Sequence, residues 1–147
     1  MSSTIEIIQF QPGHVHLLDR SDSDCAWLGD PASVFSAQAA AGSAWTLLID
    51  KRVAVVGGVA RLWPGLGEGW LLASPMARTK PVALTKGAMR GIAFTMQSLQ
   101  LNRVQAHVKT SDIRAMKWAV ALGFVREGTL RKYSPDGADY DVFAIVR

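Results

Sequence analysis

Trp118-Ala119-Val120-Ala121-Leu122-Gly123-Phe124-Val125-Arg126-Glu127-Gly128 contains a change of period that organises the second half of the chain. Upstream of Gly123, the residues from Asp112 to Leu122 read as a helix. Ser111 or Asp112 supplies a capping oxygen at its start, and Gly123 tolerates the left-handed conformation that ends many helices. Downstream, Phe124 to Tyr133 and Asp139 to Val146 read as two strands. They meet across Ser134-Pro135-Asp136-Gly137-Ala138, where proline, aspartate and glycine favour a turn. The stretch predicts a helix followed by a hairpin.

Working outward, Val104 to Lys109 is a strand and Pro81 to Gln100 the longest helix. Lys86, Arg90 and Gln97 fall on one face of that helix, with Val82, Met89, Ile92, Ala93, Met96 and Leu99 on the other. Earlier still, Glu68 to Ala73 is a strand after the Pro64-Gly65-Leu66-Gly67 turn. Trp45 to Ile49 and Arg52 to Val56 form a hairpin joined by Asp50-Lys51, and Gly57-Gly58 predicts a bulge or a close backbone approach. Asp30 and Pro31 open a helix that stops at Gly42. Pro12 opens a shorter one with Val15, Leu17 and Leu18 as its apolar stripe, and Ile5 to Phe10 is the first strand. The order is β-α-α-β-β-β-α-β-α-β-β. It predicts an α/β fold with a mixed sheet and helices on both faces, in one domain spanning residues 1–147.

Composition agrees with a folded domain. The 147 residues are 49% hydrophobic and 19% charged, which excludes a disordered chain. One cysteine, Cys25, excludes an internal disulfide framework and a Cys-rich metal site. No apolar stretch approaches the ~18 residues of a membrane span. The start of the chain lacks the basic and apolar regions of a secretory signal, so a cytoplasmic protein is expected. Charge is uneven: residues 1–77 carry a net −3 and residues 78–147 a net +7. A basic second half points to an anionic partner, either nucleic acid or a phosphorylated cofactor.

The strand order and the string from Trp118 to Gly128 resemble the GNAT family of acyl-CoA-dependent N-acetyltransferases. In that family an Asn opens this helix, a small residue follows three later, and a Gly-Phe ending leads into a Glu-Gly strand. Gly123-Phe124 and Glu127-Gly128 match, Ala115 is the small residue, and Asp112 stands at the Asn position. The family's pyrophosphate loop, Gln/Arg-x-x-Gly-x-Gly/Ala, corresponds to Arg78-Thr79-Lys80-Pro81-Val82-Ala83. Arg78 and Ala83 match, and Pro81 replaces the middle glycine. Pro81 removes one amide donor but suits the first turn of a helix. Arg78, Lys80 and Lys86 add charge where that donor is lost. The resemblance implies acetyl-CoA as co-substrate, with its pantetheine along Leu71, Leu72 and Ala73. It implies as acceptor a small-molecule amine or a protein amine.

Acetyl transfer needs a base for the amine and is helped by an acid for the departing thiolate. The family's acid Tyr, seven residues after the Asn, is here Ala119, which donates no proton. Tyr133 is the alternative acid. His107 and Glu68 fall where family members carry a base, and an imidazole titrating near 6.5 suits that role. The overall look of Leu72 to Met76 and Glu127 to Lys132 is also similar to small acetyltransferase-like proteins of short-tailed bacteriophages. That resemblance implies a rival, a catalytically silent scaffold that binds a phage or host protein, in the host cytoplasm or the virion. His14 and His16 diverge and make a poor metal pair, and no metal-ligand spacing occurs elsewhere. The five tryptophans are not interleaved with a basic stripe, which argues against nucleic acid.

Overall fold

The computed structural model describes residues 3–18 and 31–147, so the expected Asp30 cap, Cys25 and Trp27 lie outside the described residues. Among the described residues seven strands form one sheet in the order β1-β2-β3-β4-β5-β7-β6. They are β1 (Ile5–Gln9), β2 (Gly42–Ile49), β3 (Arg52–Trp63), β4 (Leu66–Ala73), β5 (Arg103–Lys109), β6 (Val125–Leu130) and β7 (Tyr140–Val146). The helices are α1 (Pro31–Ala40), α2 (Pro81–Ser98) and α3 (Ile113–Ala121). β4 and β5 are parallel, and every other neighbouring pair is antiparallel. The α/β mixed sheet and the element order are those expected from the sequence. No described helix is long and apolar enough to cross a membrane.

Two apolar layers sandwich the sheet. On one face Phe10, Val15, Leu18, Phe35, Val53, Val56 and Leu72 pack together beneath α1. On the other, Ile92 and Met96 of α2 and Ala119 and Leu122 of α3 pack on Val59, Val104 and Phe143. Phe143 is 1% exposed and Val104 fully buried, each side chain stabilising the fold by about 1.5–3 kcal/mol.

Three local expectations are corrected. The segment after Pro12 is a 3-10 helix, Pro12–Leu17, and not an α-helix. With three residues per turn, Val15 and Leu18 share the buried side while Leu17 turns to solvent. On α2 the buried residues are Ala88, Ile92, Thr95 and Met96, whereas Val82 and Met89 are exposed. Small residues are what allow this rotation: a Cβ on Gly91 would collide with the Trp45 ring, so the helix rests directly on that indole. Finally, β6 ends at Leu130, which leaves Tyr133 in the following loop rather than at a strand end.

Other signals hold. Asp50 and Lys51 both take positive φ, 48° and 67°, as a two-residue turn that matches the twist of its strands. Gly57-Gly58 marks a close approach: a Cβ on Gly58 would overlap the backbone of Ser43 and Ala44. The bulge lies elsewhere in that ribbon, between Leu47 and Leu48. Asp112, rather than Ser111, caps α3, its carboxylate accepting from the Ala115 amide at 3.1 Å. Gly123 ends it with φ 99°.

Candidate active site

β4 and β5 pair only over Leu66–Glu68 and Arg103–Gln105. β4 nevertheless stays with β3 as far as Ala73, and β5 stays with β7 as far as Lys109. Each strand follows its own half of the sheet, so the two part after Glu68 and Gln105. The parting opens a wedge whose walls are strand edges, with backbone donors and acceptors facing it. The side chains alternate across these strands. Leu72, in the core under α1, and Glu68 share one face of β4, while Leu71 and Ala73 are exposed.

Glu68 and His107 meet at the mouth of the wedge. His107 Nδ1 lies 2.5 Å from Glu68 Oε1, with both side chains about four-fifths buried. The contact orients the ring and leaves Nε2 as the nitrogen that can exchange a proton with a third group. Glu68 Oε2 is buried and has no partner among the described residues. The Tyr133 ring stacks on His107 at 5.1 Å between centroids and 7° between planes, and Tyr140 tilts against Tyr133 at 5.1 Å. Burial, followed by the negative charge of Glu68, pushes the Tyr133 phenol above its ordinary value near 10. It is therefore a protonated donor at neutral pH. Three side chains separated by up to 65 residues in the sequence thus form one cluster. Tyr133 joins it through the loop between β6 and β7, where its amide donates to Ala138 and the Ser134 hydroxyl donates to Asp136.

A second feature lies at the start of α2. A short 3-10 segment, Pro75–Thr79, leads into Pro81 at the first helical position. Thr79, Lys80, Pro81, Val82, Ala83 and Lys86 line an open depression of about 460 Å³. The Lys80 amide donates to Ala77 and the Thr79 hydroxyl to Met76, so both are committed within the loop. Val82 and Ala83 supply the first-turn amides, with no acidic side chain among them. Lys80 and Lys86 add positive charge to the end of the helix dipole. Arg78 does not line this depression.

The remaining sequence candidates are placed as follows. Asp112 is a helix cap on α3. Ala119 is 6% exposed within the core cluster, and Trp118 beside it donates its indole N–H to Thr85 Oγ1 at 3.1 Å. Of the His pair, His14 is held by Thr46 Oγ1 at 2.7 Å and by the Gln11 amide at 3.1 Å, and burial lowers its pKa.

Sequence reasoning missed the wall of the site on the α1 side. Trp70 stacks on Phe35 at 4.8 Å and meets Phe10 edge-on at 5.5 Å, and its Nε1 is buried without a partner among the described residues. The signal available was position: Trp70 lies two residues after Glu68 and so shares its face of β4. It also missed two ion pairs within the basic second half of the chain. Arg103 forms a fork on Glu127 at 3.0 and 2.6 Å. Arg126 donates to the 1%-exposed Asp141 at 3.0 Å, and Thr129 donates to the same carboxylate at 2.6 Å.

No family model matches the chain, and no curated protein sequence matches it. Solved structures do. Ard1 from Thermoplasma volcanium has a TM-score of 0.78 at 13% identity, covering 99% of this chain and 98% of that one. Spermidine N-acetyltransferase from Vibrio cholerae, in complex with CoA and spermine, has a TM-score of 0.75 at 12% identity, covering 97% and 95%. A GNAT-family acetyltransferase from Bacillus anthracis has a TM-score of 0.73 at 15% identity, covering 97% and 94%. With the parted β4 and β5, this likeness gives the chain the fold of the GNAT acetyltransferases.

Proposed function

We propose that the chain is an N-acetyltransferase that moves an acetyl group from acetyl-CoA to a primary amine, on a small molecule or a protein. The observation that carries the reading is the Glu68–His107 pair at the mouth of the wedge between β4 and β5. The residues fit the co-substrate in two places. The edges of Leu71–Ala73 and Ala106–Lys109 offer backbone groups to an amide-bearing arm. The Val82 and Ala83 amides, with Lys80 and Lys86, suit a pyrophosphate. Acetyl-CoA supplies the activated thioester.

His107 Nε2 takes the proton of the bound ammonium, and Glu68 holds the ring and offsets the imidazolium charge. The amine nitrogen then forms a bond to the acetyl carbon, the carbon–sulfur bond breaks, and the acylated nitrogen loses its second proton to solvent. Tyr133 donates its phenolic proton to the departing thiolate and recovers one from solvent. His107, Glu68 and Tyr133 are thus base, orienting carboxylate and acid in one cluster. A cytoplasmic location follows from this reading, because the co-substrate is an intracellular metabolite.

The test is a thermal titration with CoA and acetyl-CoA, joined to a CoA-release assay over a panel of amines. Saturation at 100 times Kd stabilises the fold by about 2.7 kcal/mol. A flat melt and no turnover would reject the reading. They would favour the scaffold, phage-encoded or not, that Pro81 and the buried Ala119 methyl motivate.

A further inference from the structure

The Tyr133 ring lies nearly parallel to the His107 imidazole, 7° between planes, although it is 46% exposed and stands in the loop between β6 and β7. Side-chain packing therefore covers only part of it. A side chain on a loop keeps one direction where the backbone beneath it is held. The hydrogen bonds of this loop decide the stack.

Lys132, immediately before Tyr133, takes φ 54°, in the left-handed region that a lysine rarely enters. Such a conformation persists only where its surroundings over-determine it. Here the Lys132 amide donates to Asp139 Oδ1 at 2.9 Å, across the loop. The Asp139 carbonyl in turn accepts from the Thr110 amide at 2.9 Å, one residue beyond the end of β5. Asp139 therefore ties the start of the loop to the strand that carries His107. The other loop carboxylate works differently. Asp136 accepts from the Ser134 hydroxyl and the Ala138 amide, so it organises the tip alone.

We infer that Asp139 is a positioning residue for acetyl transfer: its carboxylate holds Lys132 in the left-handed turn and so lays the Tyr133 ring on His107. Without that acceptor the Lys132 amide loses its partner and the backbone relaxes toward the ordinary region. Tyr133 then leaves the imidazole, and its phenol no longer stands beside the base. Asparagine keeps a side-chain oxygen that accepts the same bond, whereas alanine removes it. The inference deepens the acetyltransferase reading and rests on it for turnover, though not for the ring geometry.

The experiment compares the full wild-type chain with Asp139→Asn and Asp139→Ala, using Tyr133→Phe and Tyr133→Ala as references. A ring stacked on His107 shields the imidazole protons, so their resonances lie upfield in the wild type and Tyr133→Phe and downfield in Tyr133→Ala. Asp139→Asn is expected to keep the shielded position and Asp139→Ala to move most of the way to that of Tyr133→Ala. In a CoA-release assay, Asp139→Ala lowers kcat about tenfold or more with little change in the KM for the amine, and Asp139→Asn restores it. Added to Tyr133→Phe, Asp139→Ala causes no further loss, because no acid is left to position. Imidazole resonances unmoved by Asp139→Ala, a loss shared by Asp139→Asn, or a loss that adds in full to that of Tyr133→Phe overturns the inference. Should Asp139→Ala not fold, Asp139→Leu, similar in shape to aspartate and without an acceptor, is read in the same way. Absence of turnover in the wild type rejects the acetyltransferase reading, and the imidazole resonances then decide by themselves whether Asp139 sets the stack.

Discussion

His107 Nδ1 lies 2.5 Å from Glu68 Oε1, a bond between the two strands that part just beyond it. The pair sits where the sheet stops being continuous. A titratable base here is reachable from the wedge and held by a carboxylate from the opposite wall. His107→Asn and Glu68→Gln are each expected to lower kcat by about 10²–10⁴, the usual range for a positioned base. The check is CoA release at saturating amine, with melting curves to show that both variants fold.

Tyr133 has its phenol pushed upward by burial and by Glu68. A proton donor of this kind stays competent until pH passes its raised value, so the alkaline limb of kcat is expected above pH 10. Glu68→Gln removes the charge contribution and shifts that limb toward lower pH. Tyr133→Phe lowers kcat about 10²–10³ and removes the limb altogether. A pH–rate profile of the three proteins decides this.

Lys80 and Lys86 flank the first-turn amides of α2. The double variant Lys80→Ala/Lys86→Ala is expected to raise the Kd for CoA roughly tenfold, with little change for a dephosphorylated pantetheine. Because surface charges are screened, the difference should shrink as salt rises. Calorimetric titration at two ionic strengths measures it.

His14 is a stability sensor by the same reasoning with opposite sign. Burial lowers its pKa from 6.5, so the folded chain prefers the neutral ring. Above pH 6.5 neither folded nor unfolded chain holds the proton. As pH falls below that value the unfolded chain binds it first, and stability is lost. Urea midpoints at pH 7.5 and 5.5 should separate for the wild type and separate less for His14→Gln.

Gly91 and Gly87 lie one turn apart on α2 and should respond differently to alanine. At Gly91 the added methyl meets the rigid Trp45 indole, and about 1–3 kcal/mol is lost. At Gly87 it meets only the far end of Ile7, at 3.1 Å. There the gain in helix propensity, up to about 1 kcal/mol, prevails. Thermal melts of the two variants read the contrast directly.

Local chemistry made much of the fold legible. Asp112 and Gly123 bracket α3 because a side-chain oxygen and a positive φ satisfy helix ends within a few residues. Asp50-Lys51 makes its turn for the same kind of reason. The face of α2 was not legible, since the apolar pattern pointed Val82 and Met89 inward. The helix instead turns its small residues to the sheet because Trp45, about 45 residues earlier, needs the room at Gly91. The end of β6 at Leu130, which leaves Tyr133 in a loop, is not legible either, because nothing local marks where β6 loses its partner.

The sequence by itself determined the order of elements, their caps and turns, and the candidate residues Glu68, His107, Tyr133 and the Arg78–Ala83 loop. Tertiary structure alone decided that Glu68 and His107 touch, that Tyr133 lies flat on the imidazole, and that Trp70 keeps a buried donor beside them. The physical reason is range. Helix ends and turns are settled by neighbours in the chain, whereas a contact between β4 and β5 depends on where two strands separated by a whole helix stop pairing.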